Sequence, residues 1–170
     1  DDARLWELAK YFTGGRYLDV GCFHSPIPVG LKGKFPYSEI TAVDFGTEMI
    51  KKLKEKYPQV NYMVADATKL PFEDNYFDYV VAGEIIEHMD DPSAFLIEVL
   101  RVLKKGGILA ISTPFKETGR GPNNTGGAYH LWGFGYDDFE GWLGKLGKLD
   151  YKVVPVGVNR EKIYIWFKKA

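Results

Sequence analysis

The chain has 170 residues, a length typical of one domain, and its residues are 45% hydrophobic, enough to form a core. Its 22 lysine and arginine residues nearly balance its 23 aspartate and glutamate residues, so the charge gives no reason to expect nucleic acid or an anionic membrane as a partner. The single cysteine excludes an internal disulfide, and the 3 histidines lack zinc-site spacing, so we expect no metal.

The first two thirds of the chain predict strands that alternate with helices. Apolar residues at helical spacing between residues 5 and 12 predict a first helix, which Gly14 ends. Further helices are predicted from Thr47 to about Tyr57 and from Ser93 to Lys104. Short apolar runs predict strands at Tyr17 to Val20, Glu39 to Asp44, Val60 to Ala65, Phe77 to Ala82 and Ile108 to Ser112.

Apolar strands separated by helices indicate a parallel sheet covered on both faces, which is a doubly wound α/β fold. The stretch from Gly21 to Leu31 interrupts this alternation. It is predicted as a loop, because it contains Pro26, Pro28 and Gly30 directly after the first strand.

The last third of the chain predicts a long loop, a helix and a hairpin. Residues 116–127 are polar and rich in glycine, as is typical of a functional or disordered loop. Phe139 to Leu146 has helical spacing, and Gly147 follows it as a stop. Tyr151 to Val158 and Lys162 to Lys168 predict two antiparallel strands, since a short connection joins them. Residues 1–170 are thus predicted to form a single domain.

Polar residues follow the predicted strands where an open α/β sheet binds its ligands. Asp44 ends the second strand about 20 residues after the glycine turn at Gly21, a spacing suited to a carboxylate that accepts hydrogen bonds from ribose hydroxyls. Asp66 can accept from an adenine amino group, and the N–H of Ala67 can donate to a ring nitrogen. Asp19 either orients the turn or binds the amino group of an amino-acid tail.

Five motifs in this order resemble those of the class I S-adenosylmethionine-dependent methyltransferases. They are Leu-Asp-Val-Gly-Cys at 18–22, Ala-Val-Asp-Phe at 42–45, Ala-Asp-Ala-x-x-Leu-Pro-Phe at 65–72, Phe-Asp-Tyr-Val-Val-x-x-Glu-x-x-Glu-His-x-x-Asp-Pro at 77–92 and Leu-Lys-Lys-Gly-Gly-Ile-Leu at 103–109. The chain is most similar to the branch that modifies small molecules and sugars. The resemblance implies a Rossmann-like sheet of seven strands, mostly parallel with an antiparallel terminal strand, S-adenosyl-L-methionine as cofactor and a small-molecule or glycan acceptor.

The resemblance also implies the residues of the site. Carried over by motif, the cofactor contacts are Asp19, Gly21 and Cys22 for the methionine moiety, Asp44 and Phe45 for ribose and adenine, Asp66 and Ala67 for adenine, and Gly83, Glu84 and Ile85 beside the sulfonium. Histidine ionises near neutral pH, so His88 and His130 are candidates for a general base, or else residues that only shape the pocket.

The turn after the first strand departs from the family pattern. Where the family usually has Gly-x-Gly-x-Gly, this chain has Gly21-Cys-Phe-His-Ser25. Either the loop takes a different path or the site binds its cofactor poorly. We expect a different path, because S-adenosylmethionine has no pyrophosphate that requires a close backbone approach, and Ser25 can supply a hydroxyl instead.

The sequence therefore predicts an S-adenosylmethionine-dependent methyltransferase that acts on an oxygen or nitrogen of a small metabolite or glycan. The alternative is a binding or regulatory module of the same fold with a degraded site at Phe23 and His24. An NAD-dependent oxidoreductase ranks last, since two of the glycines are absent. The apolar runs are shorter than the roughly 20 residues that span a bilayer, and no signal sequence opens the chain, so we expect a cytoplasmic protein, or one domain of a longer one.

Overall fold

The computed structural model describes residues 6–115, 131–156 and 161–170. Within these ranges, seven strands form one sheet in the order β3-β2-β1-β4-β5-β7-β6. The strands are β1 (Arg16–Val20), β2 (Glu39–Asp44), β3 (Asn61–Val64), β4 (Phe77–Gly83), β5 (Leu103–Pro114), β6 (Gly147–Pro155) and β7 (Glu161–Lys169). The first five are parallel, and β7 is antiparallel to β5 and β6. The predicted seven-stranded, mostly parallel sheet with an antiparallel terminal strand is confirmed.

Helices cover both faces of the sheet. In the described ranges they are α1 (Ile27–Lys34), α2 (Thr47–Lys56), α3 (Pro92–Val102) and α4 (Tyr136–Leu143), with a 3-10 helix at Ile86–His88. Residues 6–8 are also helical. Among these described helices, none is both long and apolar enough to cross a bilayer.

The two faces of β1 belong to two separate parts of the core. Leu18 and Val20 pack with α3 and α4, whereas Tyr17 packs with α1 and α2. Successive side chains of a strand point to opposite faces, so a strand covered on both sides is apolar without alternation. This confirms the doubly wound arrangement.

The prediction of a loop from Gly21 to Leu31 is wrong over its second half, which begins α1. Ile27 and Leu31 are buried, and Pro28 lies in the first turn, where a missing backbone N–H costs no helical hydrogen bond. The parallel pairing of β1 with β2 explains the helix, because the chain has to cross a face of the sheet before the next parallel strand can begin.

The strand order places the site. From β1 the chain continues to β2 and β3 on one side of β1. The next strand, β4, lies on the other side of β1, so the direction in which strands are added reverses between β1 and β4. In open α/β sheets, such a reversal opens a crevice beyond the carboxyl ends of the strands. The same edge carries the ends of β2 and β3.

Arg101 of α3 holds the connection between β3 and β4. Its guanidinium donates to the carbonyl oxygens of Leu70 at 2.9 Å and Phe72 at 2.7 Å. It also pairs with Asp74 at 2.7 Å and with Glu98 at 2.6 Å. One side chain thus fixes the connection that begins with the predicted adenine contacts.

We expect Arg101→Lys to lower the free energy of unfolding by about 1–3 kcal/mol, because an ammonium cannot make these forked contacts at once. Urea denaturation measures the change. Lys105→Ala, at an exposed position near the start of β5, is the control and should stay within about 0.5 kcal/mol of wild type. Equal stability of Arg101→Lys and wild type would contradict the role of the guanidinium.

Candidate functional site

A cavity of about 1380 Å³ lies at the carboxyl ends of β1 to β4. It exceeds the roughly 300–1,000 Å³ typical of a pocket for one small ligand, so it has room for a cofactor and a second reactant. Its lining includes Asp19, Gly21, Cys22, Asp44, Phe45, Asp66, Ala67, Gly83, Glu84, Ile85 and His88. The structure therefore brings together every predicted site residue that it describes. His130 lies outside the described residues.

Gly21 allows the end of β1 to pass close to the end of β4. Its φ is +71°, and a Cβ atom there would lie 2.5 Å from Cδ1 of Ile85. The backbone N–H groups of Gly21 and Cys22 both donate to the carbonyl oxygen of Val43, at 2.9 and 3.0 Å. The first glycine of the motif thus has a steric reason in this chain, apart from any ligand.

Phe23 takes the place of a family glycine and keeps a backbone conformation that glycine favours. Its φ is +40°, in the left-handed region, and its N–H donates to Oδ2 of Asp44 at 3.0 Å. Phe23 is 67% exposed, and its ring packs against that of His24 with the centroids 4.4 Å apart. Because the ring is mostly in solvent, it borders the cavity and leaves the interior open.

Asp44 joins the turns that follow β1 and β2. Its Oδ2 accepts from the N–H of Phe23, and its Oδ1 accepts from the N–H of Gly46, both at 3.0 Å. Gly46 is the N-cap of α2, so the carboxylate also supports the start of that helix. An ionised carboxylate has about four acceptor sites, so it can accept further hydrogen bonds from a diol.

Asp66 and Ala67 lie just beyond β3. Oδ1 of Asp66 accepts from the N–H and the hydroxyl of Thr68, at 2.8 and 2.7 Å. These bonds, the hydroxyl bond first, lower the pKa of the exposed Asp66 carboxyl. Asp66 therefore shapes a turn and stays ionised at the cavity.

Asp19 brings a buried carboxyl to the cavity wall. Its side chain is 3% exposed, and among the described residues Oδ2 has no hydrogen-bond partner. Burial raises the pKa of Asp19 to about 7, against the lowering effect of the Ser25 hydroxyl, and the charge of Asp44 raises it further. A cationic group that entered the cavity here would find an acceptor in need of a partner.

Glu84 is held at the end of β4 by its neighbours in the sheet. Its φ is +55°, its Oε1 accepts from the Ser112 hydroxyl at 2.8 Å, and its Oε2 pairs with Nζ of Lys162 at 2.7 Å. These contacts tie β4 to β5 and β7. They also leave the negative charge of Glu84 partnered.

Glu87 is fully buried behind the wall that contains His88. Its Oε2 accepts from the Thr113 hydroxyl at 3.1 Å, and in the described part of the chain Oε1 has no partner. Burial, with the nearby charge of Glu84, raises the pKa of Glu87 to about 8. Its carbonyl oxygen accepts from the N–H of Leu131 at 2.8 Å, which attaches the segment at 131–135 to the 3-10 helix.

Sequence reasoning missed the apolar part of the lining. Leu8, Met89 and Leu131 also face the cavity. Their residue types are the same as those of core residues, so the sequence does not identify them as cavity-lining. Their position at the cavity follows from how the helix before β1, the exit of the 3-10 helix and the segment at 131–135 pack together. Within the described ranges, His, Cys, Asp and Glu form no group of three or more suited to a metal ion.

Comparison with known proteins gives the family. The model of a family described as a methyltransferase domain matches residues 18–111, which is more than half of the chain. The chain belongs to the methyltransferase domain family. The cofactor of this family is S-adenosylmethionine, as the sequence motifs predict.

Curated relatives share this similarity, but the chain matches only part of their length. The chain is 36% identical over 95 residues to the ubiquinone/menaquinone biosynthesis C-methyltransferase UbiE of Desulfotalea psychrophila, covering 55% of this chain and 39% of the relative. It is 39% identical over 101 residues to the demethylmenaquinone methyltransferase of Staphylococcus haemolyticus, covering 57% and 42%. The chain thus spans about two fifths of the length of these curated relatives.

A solved structure of similar size shows the same fold. A SAM-dependent methyltransferase from Archaeoglobus fulgidus superposes with a TM-score of 0.77 at 19% identity, over 99% of this chain and 92% of that chain. At this identity the likeness concerns the fold alone.

Stability should depend on pH through Asp19. The carboxyl has a pKa of about 7 in the folded domain against 3.8 for an ordinary aspartate, so the folded state holds more protons between these values and loses stability as pH rises through them. We expect Asp19→Asn to be more stable than wild type at pH 8 by about 2–4 kcal/mol, and nearly equal to it at pH 4.

Urea denaturation at the two pH values measures this difference. Asp150→Asn, at an exposed position in β6, is the matched control and should differ from wild type equally at both. A gain from Asp19→Asn that does not change with pH would show that Asp19 is not the titrating group.

Proposed function

We propose that this domain transfers a methyl group from S-adenosylmethionine to an oxygen or nitrogen atom of a small metabolite or glycan. The observation that carries the proposal is the convergence of Asp19, Asp44 and Asp66, from three neighbouring strands, on one cavity of a methyltransferase-family chain. The spatial order of the strands also matches the order of groups along the cofactor.

That order supports the following assignment of the cofactor contacts. Beside β3 and β2, Asp66 and Ala67 would bind the adenine, and the carboxylate of Asp44 would accept from the ribose hydroxyls. The ring of Phe45, 85% exposed, is available to cover the base. At β1 the unpartnered oxygen of Asp19 would accept from the ammonium of the methionine moiety.

The remaining cofactor contacts lie at the ends of β1 and β4. The backbone of Gly21 and Cys22 would border the methionine chain. Gly83, Glu84 and Ile85 would lie beside the sulfonium, with the charge of Glu84 fixed by Lys162. These residues would hold the cofactor so that its methyl group faces the rest of the cavity.

The reaction needs two reactants held in line. When bound by the residues named above, S-adenosylmethionine would supply an electrophilic methyl group to a lone pair of the acceptor and would leave as S-adenosylhomocysteine. The walls of the cavity would align the acceptor and exclude water, which can provide much of the acceleration. His88, at the cavity surface, would take the proton that the acceptor releases, and His130 is a second candidate for this role.

A ring carbon of a quinone is a second candidate acceptor. The relatives named for ubiquinone/menaquinone C-methylation and for demethylmenaquinone favour it. The family match ends at residue 111, before the segment that carries Leu131, so it reaches only part of the cavity. An assay with demethylated quinones beside phenols, amines and sugars would separate the two candidates.

Calorimetry with S-adenosylmethionine and S-adenosylhomocysteine tests the cofactor site. We expect Asp44→Asn to weaken both affinities about tenfold to a hundredfold, because an amide loses the charge-assisted bonds to the ribose. Asp150→Asn should bind as wild type does. If the wild-type domain bound neither ligand, the enzyme hypothesis would fail and a binding or regulatory module of this fold would be favoured.

Turnover tests the proposed base. With an acceptor identified in the assay above, His88→Ala or His130→Ala should reduce kcat by about a hundredfold or more. Labelled methyl transfer measures the rate, and calorimetry confirms cofactor binding by each variant. Full turnover in both variants would exclude base catalysis by either histidine.

A further inference from the structure

The two ends of the cavity differ in chemistry. The part beside β1, β2 and β3 contains the carboxylates assigned above to the cofactor. The part beyond β4, here called the acceptor end, is bounded by Leu8, Ile85, Met89 and Leu131. Its polar side chains are His88 and Glu84, whose charge is paired with Lys162. Since β4 follows β1 in the sheet, this end faces the proposed position of the sulfonium.

Leu8 is fixed against the end of β4. Its carbonyl oxygen accepts from the Tyr79 hydroxyl at 2.6 Å, and its side chain is buried. A Cβ atom at Gly83 would lie 3.1 Å from Cδ1 of Leu8, so the glycine permits the close packing of the leucine on the strand. These contacts fix this part of the wall in the absence of a ligand.

Met89 and Leu131 form the opposite part of the wall and are anchored to each other's segments. The indole N–H of Trp132 donates to the carbonyl oxygen of Met89 at 2.7 Å. The N–H of Leu131 donates to the carbonyl oxygen of Glu87 at 2.8 Å. Two hydrogen bonds thus join the segment at 131–135 to the 3-10 helix and its exit.

In the part of the chain that the structure describes, the acceptor end offers no lysine or arginine to a negatively charged ligand. Among the described residues that line the cavity, none is a lysine or an arginine. Lys162, which approaches from β7, does not line the cavity and is paired with Glu84 at 2.7 Å. A phosphate or carboxylate would lose its hydration without gaining a counterion, and would lie in the same cavity as Asp19, Asp44 and Asp66.

We propose that the acceptor end selects an uncharged, apolar acceptor and rejects acceptors that carry a phosphate or a carboxylate. The inference rests on the proposed function and narrows it from small molecules in general to this class. The apolar wall supplies affinity by burial of the acceptor, and His88 is the polar group placed to meet the atom that receives the methyl group.

Binding of size-matched probes tests the inference independently of turnover. The domain is first titrated with S-adenosylhomocysteine, and its complex is then titrated with 2-naphthylmethanol, 2-naphthoate and 2-naphthylmethylammonium. We expect the neutral probe to bind at least about tenfold more tightly than 2-naphthoate, since the anion has no partner in the wall. Failure to bind S-adenosylhomocysteine would refute the cofactor site, which is a different result from a wrong order of the probes.

Two orders of affinity would overturn the inference. If 2-naphthoate bound as tightly as the alcohol, a cation would have to face the acceptor end. If the ammonium bound more tightly than the alcohol, the carboxylates and not the apolar wall would select the acceptor. Both results come from the wild-type domain, so they do not depend on a variant that folds.

A charge placed in the wall should reverse the preference. In Met89→Lys, 2-naphthoate should bind at least about tenfold more tightly than it does to wild type, and 2-naphthylmethanol more weakly. Leu146→Lys, at a residue that is 50% exposed between α4 and β6, is the matched control and should change neither affinity. Met89→Lys could retain the wild-type affinity for S-adenosylhomocysteine and still discriminate the probes as wild type does. The probes would then not bind beside Met89, and the location of the acceptor end would be wrong.

Discussion

Parallel pairing of the first five strands is the constraint on which the rest of the domain depends. A parallel strand cannot follow its neighbour through a tight turn, so each connection crosses a face of the sheet and usually contains a helix. The same constraint brings all five carboxyl ends to one edge. The helices that cover the core and the residues that line the cavity therefore have a common cause, and side chains far apart in sequence meet because their strands end together.

The carboxyl groups at the cavity and directly behind its wall lie in two different environments. Asp44 and Asp66 accept hydrogen bonds from turns and face solvent in part. Asp19 and Glu87 are buried, each has an oxygen without a partner in the described residues, and burial raises the pKa of both. The domain thus tolerates groups that cost stability when ionised. For Asp19, the proposed ammonium partner gives a functional reason for this cost. The carboxyl of Glu87 instead accepts from the Thr113 hydroxyl and so links the 3-10 helix to β5.

Much of this could be predicted from the sequence, for identifiable reasons. An apolar run of strand length predicts β2 with the bounds that the structure has. The carboxylate at the end of this run identifies Asp44 as a candidate site residue. The sequence does not predict helix α1, because Pro26, Pro28 and Gly30 are residues that usually interrupt a helix. The helix forms nevertheless, because the parallel pairing of β1 and β2 requires a connection across a face of the sheet. The left-handed backbone of Phe23 was beyond prediction, since its support comes from Asp44, which lies on another strand. The sequence does not predict the apolar wall, because the same residue types occur in a buried core and in the lining of an apolar cavity.

The position of β7 has a consequence for how the sheet is completed. β7 follows β6 in sequence but lies between β5 and β6, and its Ile163, Ile165 and Phe167 are fully buried. During synthesis, β6 therefore emerges before the strand that it pairs with, and β5 keeps an open edge with unpaired N–H and carbonyl groups until β7 arrives. Open edges of this kind favour association between chains. The domain is thus exposed to aggregation before β7 is made, when five strands of the sheet can already be paired and β6 still lacks its partner.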